Sequence, residues 1–71
     1  MLIKIQEVVI EHNLAFPDDK IKLDLGVKLG CIYVESNKHY DFFYLDNELE
    51  ECYKLVSTII NEYKEDFNEQ N

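Results

Sequence analysis

The sequence predicts an α+β fold in which one C-terminal amphipathic helix covers one face of a three- or four-stranded antiparallel meander sheet, in the order β-β-β-α. Three patterns indicate this fold. Apolar side chains occupy every odd position from 21 to 33, and mostly polar residues or glycine stand between them, as in half-buried strands. Residues 39–45 form a second stretch that is rich in aromatic and β-forming side chains. Residues 47–67 repeat apolar side chains at helical spacing.

The first segment, residues 2–12, is rich in β-branched side chains. Apolar and polar residues alternate up to Glu7, where the phase slips, and this favours a strand with a bulge near Glu7. A helix is the alternative, and the strand is preferred because a helix would leave Ile3 and Ile10 outside the core. The residues that carry the helical 3–4 spacing are Leu2, Ile5, Val9 and His12.

The middle segment holds the cleanest alternation in the chain, with apolar residues at every odd position from Ile21 to Tyr33. It predicts one long strand, or two strands that share one face around Gly26. The odd phase is expected to face the helix, which places Ile32 and Val34 on the opposite, open face of the sheet. A turn at residues 16–19 precedes this segment, and a turn at residues 36–38 leads to the strand at 39–45.

The strand at residues 39–45 is aromatic on both of its phases, so one helix cannot cover all of these side chains. We therefore expect an exposed apolar patch, which usually marks an interaction site, and a homodimer is the most economical partner. The alternative is that the N-terminal segment folds over this face. The predicted sheet-face interface consists of Ile32, Val34, Tyr40, Phe42 and Tyr44.

The C-terminal helix is predicted to begin at a cap formed by Asp46 or Asn47. Its acidic residues continue into the last turn, where the helix dipole prefers cations, so the end of the helix should fray. Residues 1–67 are expected to form one domain, and residues 68–71 a disordered acidic tail. The residues of the apolar stripe are Leu49, Cys52, Tyr53, Val56, Ile59, Ile60, Tyr63 and Phe67.

The 71 residues carry a formal net charge of −8 and include no arginine. This charge opposes direct binding to nucleic acid or to an anionic membrane, and it favours a basic protein partner. The sequence shows no signal peptide and no apolar run near membrane-spanning length, which predicts a cytoplasmic protein. Cys31 and Cys52 are then expected to be reduced thiols facing the same core, with a disulfide between them as the alternative.

No catalytic or metal-binding motif is found in the sequence. His12, His39, Cys31 and Cys52 lack the close spacing of zinc ligands, and the two histidines are expected at the surface. Gly26 and Gly30 lie inside a strand pattern and not in a phosphate-binding loop. The prediction is a protein that is not an enzyme and that needs no metal or cofactor.

The acidic helix face is the remaining candidate for function, because a row of carboxylates could occupy a basic groove in place of nucleic-acid phosphates. The alternative for this face is a solvated surface that opposes aggregation. The function predicted is a small acidic protein that inhibits or modulates a nucleic-acid-binding protein, as a phage or mobile-element product would; the alternative is a structural homodimer or assembly subunit. The predicted acidic binding surface consists of Glu50, Glu51, Glu62, Glu65 and Asp66.

Overall fold

The computed structural model describes residues 1–69, with side chains described through residue 66. The three strands form one sheet in the order β1-β2-β3, and both neighbouring pairs are antiparallel. The predicted α+β class and antiparallel meander are confirmed, whereas the predicted order is incomplete because a helix precedes the sheet. The elements are α1 (Leu2–Ala15), β1 (Lys22–Gly26), a short 3-10 turn (Val27–Leu29), β2 (Cys31–Glu35), β3 (Tyr40–Tyr44) and α2 (Leu49–Glu69).

The first segment is the helix α1, so the strand predicted for residues 2–12 is wrong. The sequence pattern was ambiguous because apolar side chains lie on two sides of this helix. Ile3 and Ile10 are 70% and 58% exposed, which is the arrangement that had disfavoured a helix. The buried side is the 3–4 stripe of Ile5, Val9 and His12.

The end of α1 follows from the turn chemistry of the next residues. The backbone N–H of Phe16 donates to the carbonyl of His12 over 2.8 Å, which closes the last turn. Pro17 has no N–H to donate and disfavours helical geometry in the residue before it. The helix therefore ends at Ala15, and the chain turns back toward β1.

The middle segment divides into the two strands β1 and β2, which was one of the two alternatives predicted. The odd-numbered residues of the two strands, however, do not lie on the same face of the sheet. Gly30 adopts a left-handed conformation with φ of 63°, which side chains other than glycine rarely tolerate. The four-residue connection makes Leu25 pair with Ile32, so odd residues of β1 share a face with even residues of β2. The placement of Ile32 and Val34 on the open face is therefore wrong, since they are 1% and 0% exposed in the core.

One hydrophobic core joins both helices to one face of the sheet. Phe43 of β3 pairs with Ile32 and so points to the same side. The opposite face of the sheet has no helix of the described residues packed on it. The core residues are Ile5, Val9, Ile21, Ile32, Val34, Phe43, Cys52, Val56 and Ile59.

The helix α2 begins at Leu49, and the carbonyl of Glu48 accepts its first hydrogen bond, from the Cys52 N–H over 3.0 Å. The predicted cap at Asp46 or Asn47 is therefore wrong. The tail predicted at 68–71 includes residues 68 and 69, whose backbone belongs to α2, while residues 70 and 71 lie outside the described residues. Within residues 1–69, neither helix combines the length and the apolar character needed to cross a membrane.

Candidate functional site

The open face of the sheet carries a row of aromatic side chains. The strand register places Tyr33 of β2 on the same face as Phe42, and the alternation of β3 places Tyr40 and Tyr44 there too. Tyr40, Phe42 and Tyr44 are 69%, 47% and 48% exposed. Three of the five residues predicted for a sheet-face interface thus lie on the open face, and their role as an interface stays a prediction.

The aromatic rings contact one another along this face. The ring centroids of Tyr33 and Phe42 are 6.0 Å apart, and those of Phe42 and Tyr44 are 5.8 Å apart in an edge-to-face arrangement. Gly26 allows Tyr33 to lie flat on β1, since a Cβ at Gly26 would stand 3.1 Å from Tyr33 Cε2 and 3.0 Å from Cys31 Sγ. The row is therefore a preformed apolar surface on a rigid sheet.

The two cysteines lie on opposite sides of the sheet. Cys52 belongs to the core, whereas Cys31 lies on the open side beneath Tyr33, so the expectation of a shared core is wrong for Cys31. Both thiols are free and buried. Burial raises the pKa of the Cys52 thiol to about 11, so few molecules carry a thiolate at neutral pH. A hydrogen bond with the Cys31 side chain raises the pKa of Tyr33.

His12 is buried, which corrects the expectation of two surface histidines. Its Nε2 lies 3.0 Å from both the carbonyl oxygen and the Oδ2 of Asp19. Both of these atoms are acceptors when the carboxyl is ionised, so Nε2 carries the proton. The ring packs against Phe16 and Tyr63, with centroids 5.3 and 5.7 Å away. His12 therefore ties the 16–19 turn to both helices.

Two of the five predicted acidic residues contact basic side chains of the β2–β3 turn. Glu62 Oε2 lies 3.1 Å from His39 Nε2, and Asp66 Oδ2 lies 3.3 Å from Lys38 Nζ. These contacts give the acids near the C-terminal end of α2 a local role that helical spacing alone did not reveal. Glu62 and Asp66 therefore have partners within the chain, while 46% and 54% of their side-chain surfaces stay exposed.

The other predicted acids, Glu50, Glu51 and Glu65, are exposed, and no ion pair to them is found within residues 1–66. Glu48 extends the acidic group toward the sheet, because its Oε1 accepts a hydrogen bond from the Tyr44 N–H over 3.0 Å. The start of α2 is thereby tied to one end of the aromatic row. We call the side chains of Asp46, Glu48, Glu50 and Glu51 the acidic corner.

A group of titratable side chains surrounds a cleft of about 30 Å³, which is room for roughly one water molecule. Among the described residues, no three His, Cys, Asp or Glu side chains are grouped closely enough to hold a metal ion. The residues around the cleft include Asp19, Lys38, His39, Glu62, Tyr63 and Asp66.

Comparison with known proteins adds no relative: no family model matches the chain, and no match is found among curated proteins or solved structures. A function must therefore be proposed from the chain's own surfaces. The sequence patterns missed two of these surfaces. One is the exposed apolar side of α1, which the spacing of Ile3, Ile10 and Leu14 could have indicated; the other is the outer edge of β1.

Proposed function

We propose that this chain is a small, non-catalytic binding protein that inhibits or modulates a basic partner, most simply a nucleic-acid-binding protein. In this proposal, the acidic corner contacts the cationic groove of the partner and the neighbouring aromatic row supplies the apolar anchors. A phage or mobile-element product acting on a host protein would have this design. The partner's nucleic acid would be displaced because carboxylates occupy the place of phosphates.

The observation that carries the proposal is the hydrogen bond between Glu48 and Tyr44, 3.0 Å long, which brings the acidic corner next to the exposed rings. Charge alone contributes little to the affinity of exposed groups, whereas aromatic side chains dominate binding energy at interfaces. A surface with both features supports steering by charge and anchoring by rings. The net charge of −8 attracts a basic partner at separations up to about one Debye length.

The row along α2 is shorter than the sequence suggested. Glu50 and Glu65 are separated by about 22 Å along the helix axis at 1.5 Å per residue. Glu62 and Asp66, near its far end, are held by His39 and Lys38. The acidic corner is therefore the part of the predicted surface that supports partner binding best.

A charge-matched pair of variants tests this proposal. The variant Asp46→Asn/Glu50→Gln/Glu51→Gln removes three carboxylates of the acidic corner and keeps Glu48 in its hydrogen bond. The control Glu7→Gln/Glu11→Gln/Glu35→Gln removes three exposed carboxylates elsewhere. Both changes alter the net charge equally. Proteins captured from host extract at low salt by each form would be identified, purified and titrated by calorimetry at two salt concentrations.

We expect a basic partner that binds the original chain and the control, binds the corner variant at least about tenfold more weakly, and is released by salt and by duplex DNA. Equal weakening by both variants would mean that only net charge matters. Binding that duplex DNA does not compete would remove nucleic-acid mimicry. Recovery of no protein above background at low salt would contradict the proposal as a whole.

A second candidate function is that of a structural subunit that forms a homodimer through the open sheet face. It is supported by the contiguous exposed rings of Tyr40, Phe42 and Tyr44. Phe42→Glu would place a charge in such an interface and should convert a dimer to a monomer. Asp41→Lys, on the opposite side of β3, is the control for a change of charge on this strand. Light scattering that shows a monomer at every concentration would contradict this candidate.

A further inference from the structure

The outer edge of β1 presents backbone groups that no other strand uses. In the β2–β3 hairpin, the Ser36 N–H donates to the His39 carbonyl and the Leu45 N–H to the Gly30 carbonyl, both over 2.8 Å. Even-numbered residues of β2 therefore bond toward β3, and odd-numbered ones bond toward β1. It follows that the N–H and C=O groups of Leu23 point away from the sheet, as do those of the odd residues on either side of it.

One of these outward positions is already occupied by a side chain. The Asn13 amide nitrogen donates to the Ile21 carbonyl over 2.9 Å, and its oxygen accepts from the Ile21 N–H over 2.8 Å. The side-chain amide of Asn13 thus makes the two hydrogen bonds that the backbone of a neighbouring strand would make with Ile21. Within the described residues, no hydrogen bond reaches the outward groups of Leu23 or Leu25. The open part of the edge is therefore centred on Leu23.

We propose that this edge pairs with β1 of a second copy of the chain, antiparallel and around a two-fold axis at Leu23. This register sets Lys22 opposite Asp24 of the second copy, and Asp24 opposite its Lys22. Both side chains are exposed, at 67% and 63%, and lie on the open face of the sheet, where Lys22 Nζ is 3.7 Å from Asp24 Oδ2 of its own copy. Pairing would therefore join two such ion pairs into one group of alternating charges. The segment Ile21-Lys22-Leu23-Asp24-Leu25 is self-complementary in charge and in apolar pattern.

A groove beside the edge is suited to the apolar side chains of the second strand. It lies between α1 and β1, has a volume of about 520 Å³, and is lined in part by Val9 and Ile10. In the proposed register, Leu23 of the second copy points to the helix side and enters this groove. Ile10, which is 58% exposed in one copy, would be covered there. One partner would thus form hydrogen bonds with the edge of β1 and cover part of the exposed side of α1.

Asn13 limits how far this pairing extends. Leu25 of the second copy would lie opposite Ile21, where the Asn13 amide already fills both backbone positions. The central pair at Leu23 forms with Asn13 in place, whereas the flanking pairs require its amide to leave. Unpaired edges invite uncontrolled association, and a side chain that fills one end restrains it. Asn13 therefore acts as a competitor of the second copy.

Charge reversal at the edge tests the proposal by sedimentation equilibrium at physiological salt, from micromolar to millimolar concentration. Lys22→Asp makes both cross-strand pairs repulsive and should weaken the dimer by about tenfold or more. The double variant Lys22→Asp/Asp24→Lys restores opposite charges and should recover dimerisation. Lys28→Asp makes the same change in net charge in the 3-10 turn and should weaken the dimer much less than Lys22→Asp. Asn13→Ala should strengthen the dimer.

Four results would overturn the inference. They are a chain that stays monomeric at every concentration, equal weakening by Lys22→Asp and Lys28→Asp, failure of the double variant to recover, and loss of the dimer in Phe42→Glu alone. The last result would assign the contact to the open sheet face. The inference does not depend on the acidic corner, so the corner variant of the proposed function, which carries three fewer negative charges per copy, should dimerise at least as strongly as the original chain. Lys22 and Asp24 are both exposed, so their exchange leaves the fold of one copy intact.

Discussion

Shortening Ile32 by one methyl group tests which residues of β2 face the core. This assignment decides which side chains lie on each face of the sheet. The structure places Ile32 in the core at 1% exposure. Alternation in the sequence had placed it on the open face. Ile32→Val keeps a β-branched side chain and the strand propensity, so its effect reports packing. Ile3→Val is the matched control, because Ile3 is 70% exposed on α1.

The expected magnitude follows from burial. Removing one buried methylene costs about 0.8 kcal/mol of transfer free energy, and the cavity that remains raises the total to about 1 kcal/mol. A domain of this size has about 3–5 kcal/mol of net stability, so the loss is a large fraction of it. The midpoint of thermal unfolding should fall by about 4–8 °C. The exposed control should change stability by less than about 0.5 kcal/mol.

The assay is urea unfolding followed by circular dichroism, with thermal melts of the same samples. Equal m-values for the three proteins would show that the compactness of the unfolded state is unchanged. Ile32→Val should shift the urea midpoint clearly and Ile3→Val should not. If the two variants were equally stable, Ile32 would not be in the core, and the odd-to-even register between β1 and β2 would be wrong.

Three further perturbations test other features of the structure. Gly30→Ala should destabilise the fold by about 1–2 kcal/mol in urea unfolding, because φ of 63° is strained for a residue with a Cβ. Asn13→Ala should cost about 1–2 kcal/mol in the same assay, because it removes both hydrogen bonds to Ile21. Stability should be constant up to about pH 9 and should fall toward pH 11, because the Cys52 thiol ionises at lower pH in the unfolded chain than in the fold. The contribution of Cys52 to this loss should be about 2–3 kcal/mol, and Cys52→Ala should remove that contribution from a pH series of urea midpoints while the smaller fall caused by the raised pKa of Tyr33 stays.

The sequence predicted the existence and type of α2 and β3 well, because apolar residues at helical spacing dominate the first and β-forming aromatic residues dominate the second. The α2 stripe is apolar on one side and charged on the other, and residues 52, 56 and 59 are buried as a 3.6-residue period requires. The strand β3 lies between a polar turn and the acidic start of α2. The five residues between them, 40–44, are too few for a helix and suit a short strand. The sequence did not say which of the two phases of β3 lies on the open face. Only the register with β2 assigns that phase.

The helix α1 was the less favoured alternative in the sequence because its apolar residues lie on two different sides of the helix. Ile5 and Val9 face the core, while Ile3, Ile10 and Leu14 are exposed on another side. Such a helix has apolar residues at nearly every spacing, so alternation and helical periodicity compete in the sequence. The preference for a strand assumed that exposed isoleucines are unfavourable in a small protein. Their exposure is now an observation that a partner could explain.

The error in β2 had a different cause, which was the loop. Val27 and Leu29 continue the apolar alternation, yet they belong to the 3-10 turn and are 82% and 68% exposed. The left-handed Gly30 then reverses the chain into a hairpin whose pairing joins odd to even residues. An alternation that runs through a turn carries no information about phase beyond the turn. Only the register could assign Cys31 and Tyr33 to the open face.

The two proposed modes of association differ in how they should respond to salt. Two copies that each carry a net charge of −8 repel each other at long range, whereas the attraction between Lys22 and Asp24 of the two copies acts only at the paired edge. Raising the salt concentration screens this repulsion, so pairing at the β1 edge should persist or strengthen. A complex between the acidic corner and a basic partner depends on attraction between opposite charges, so the same salt should weaken it. The sign of the salt dependence therefore separates self-association from binding to a basic protein before any partner has been identified.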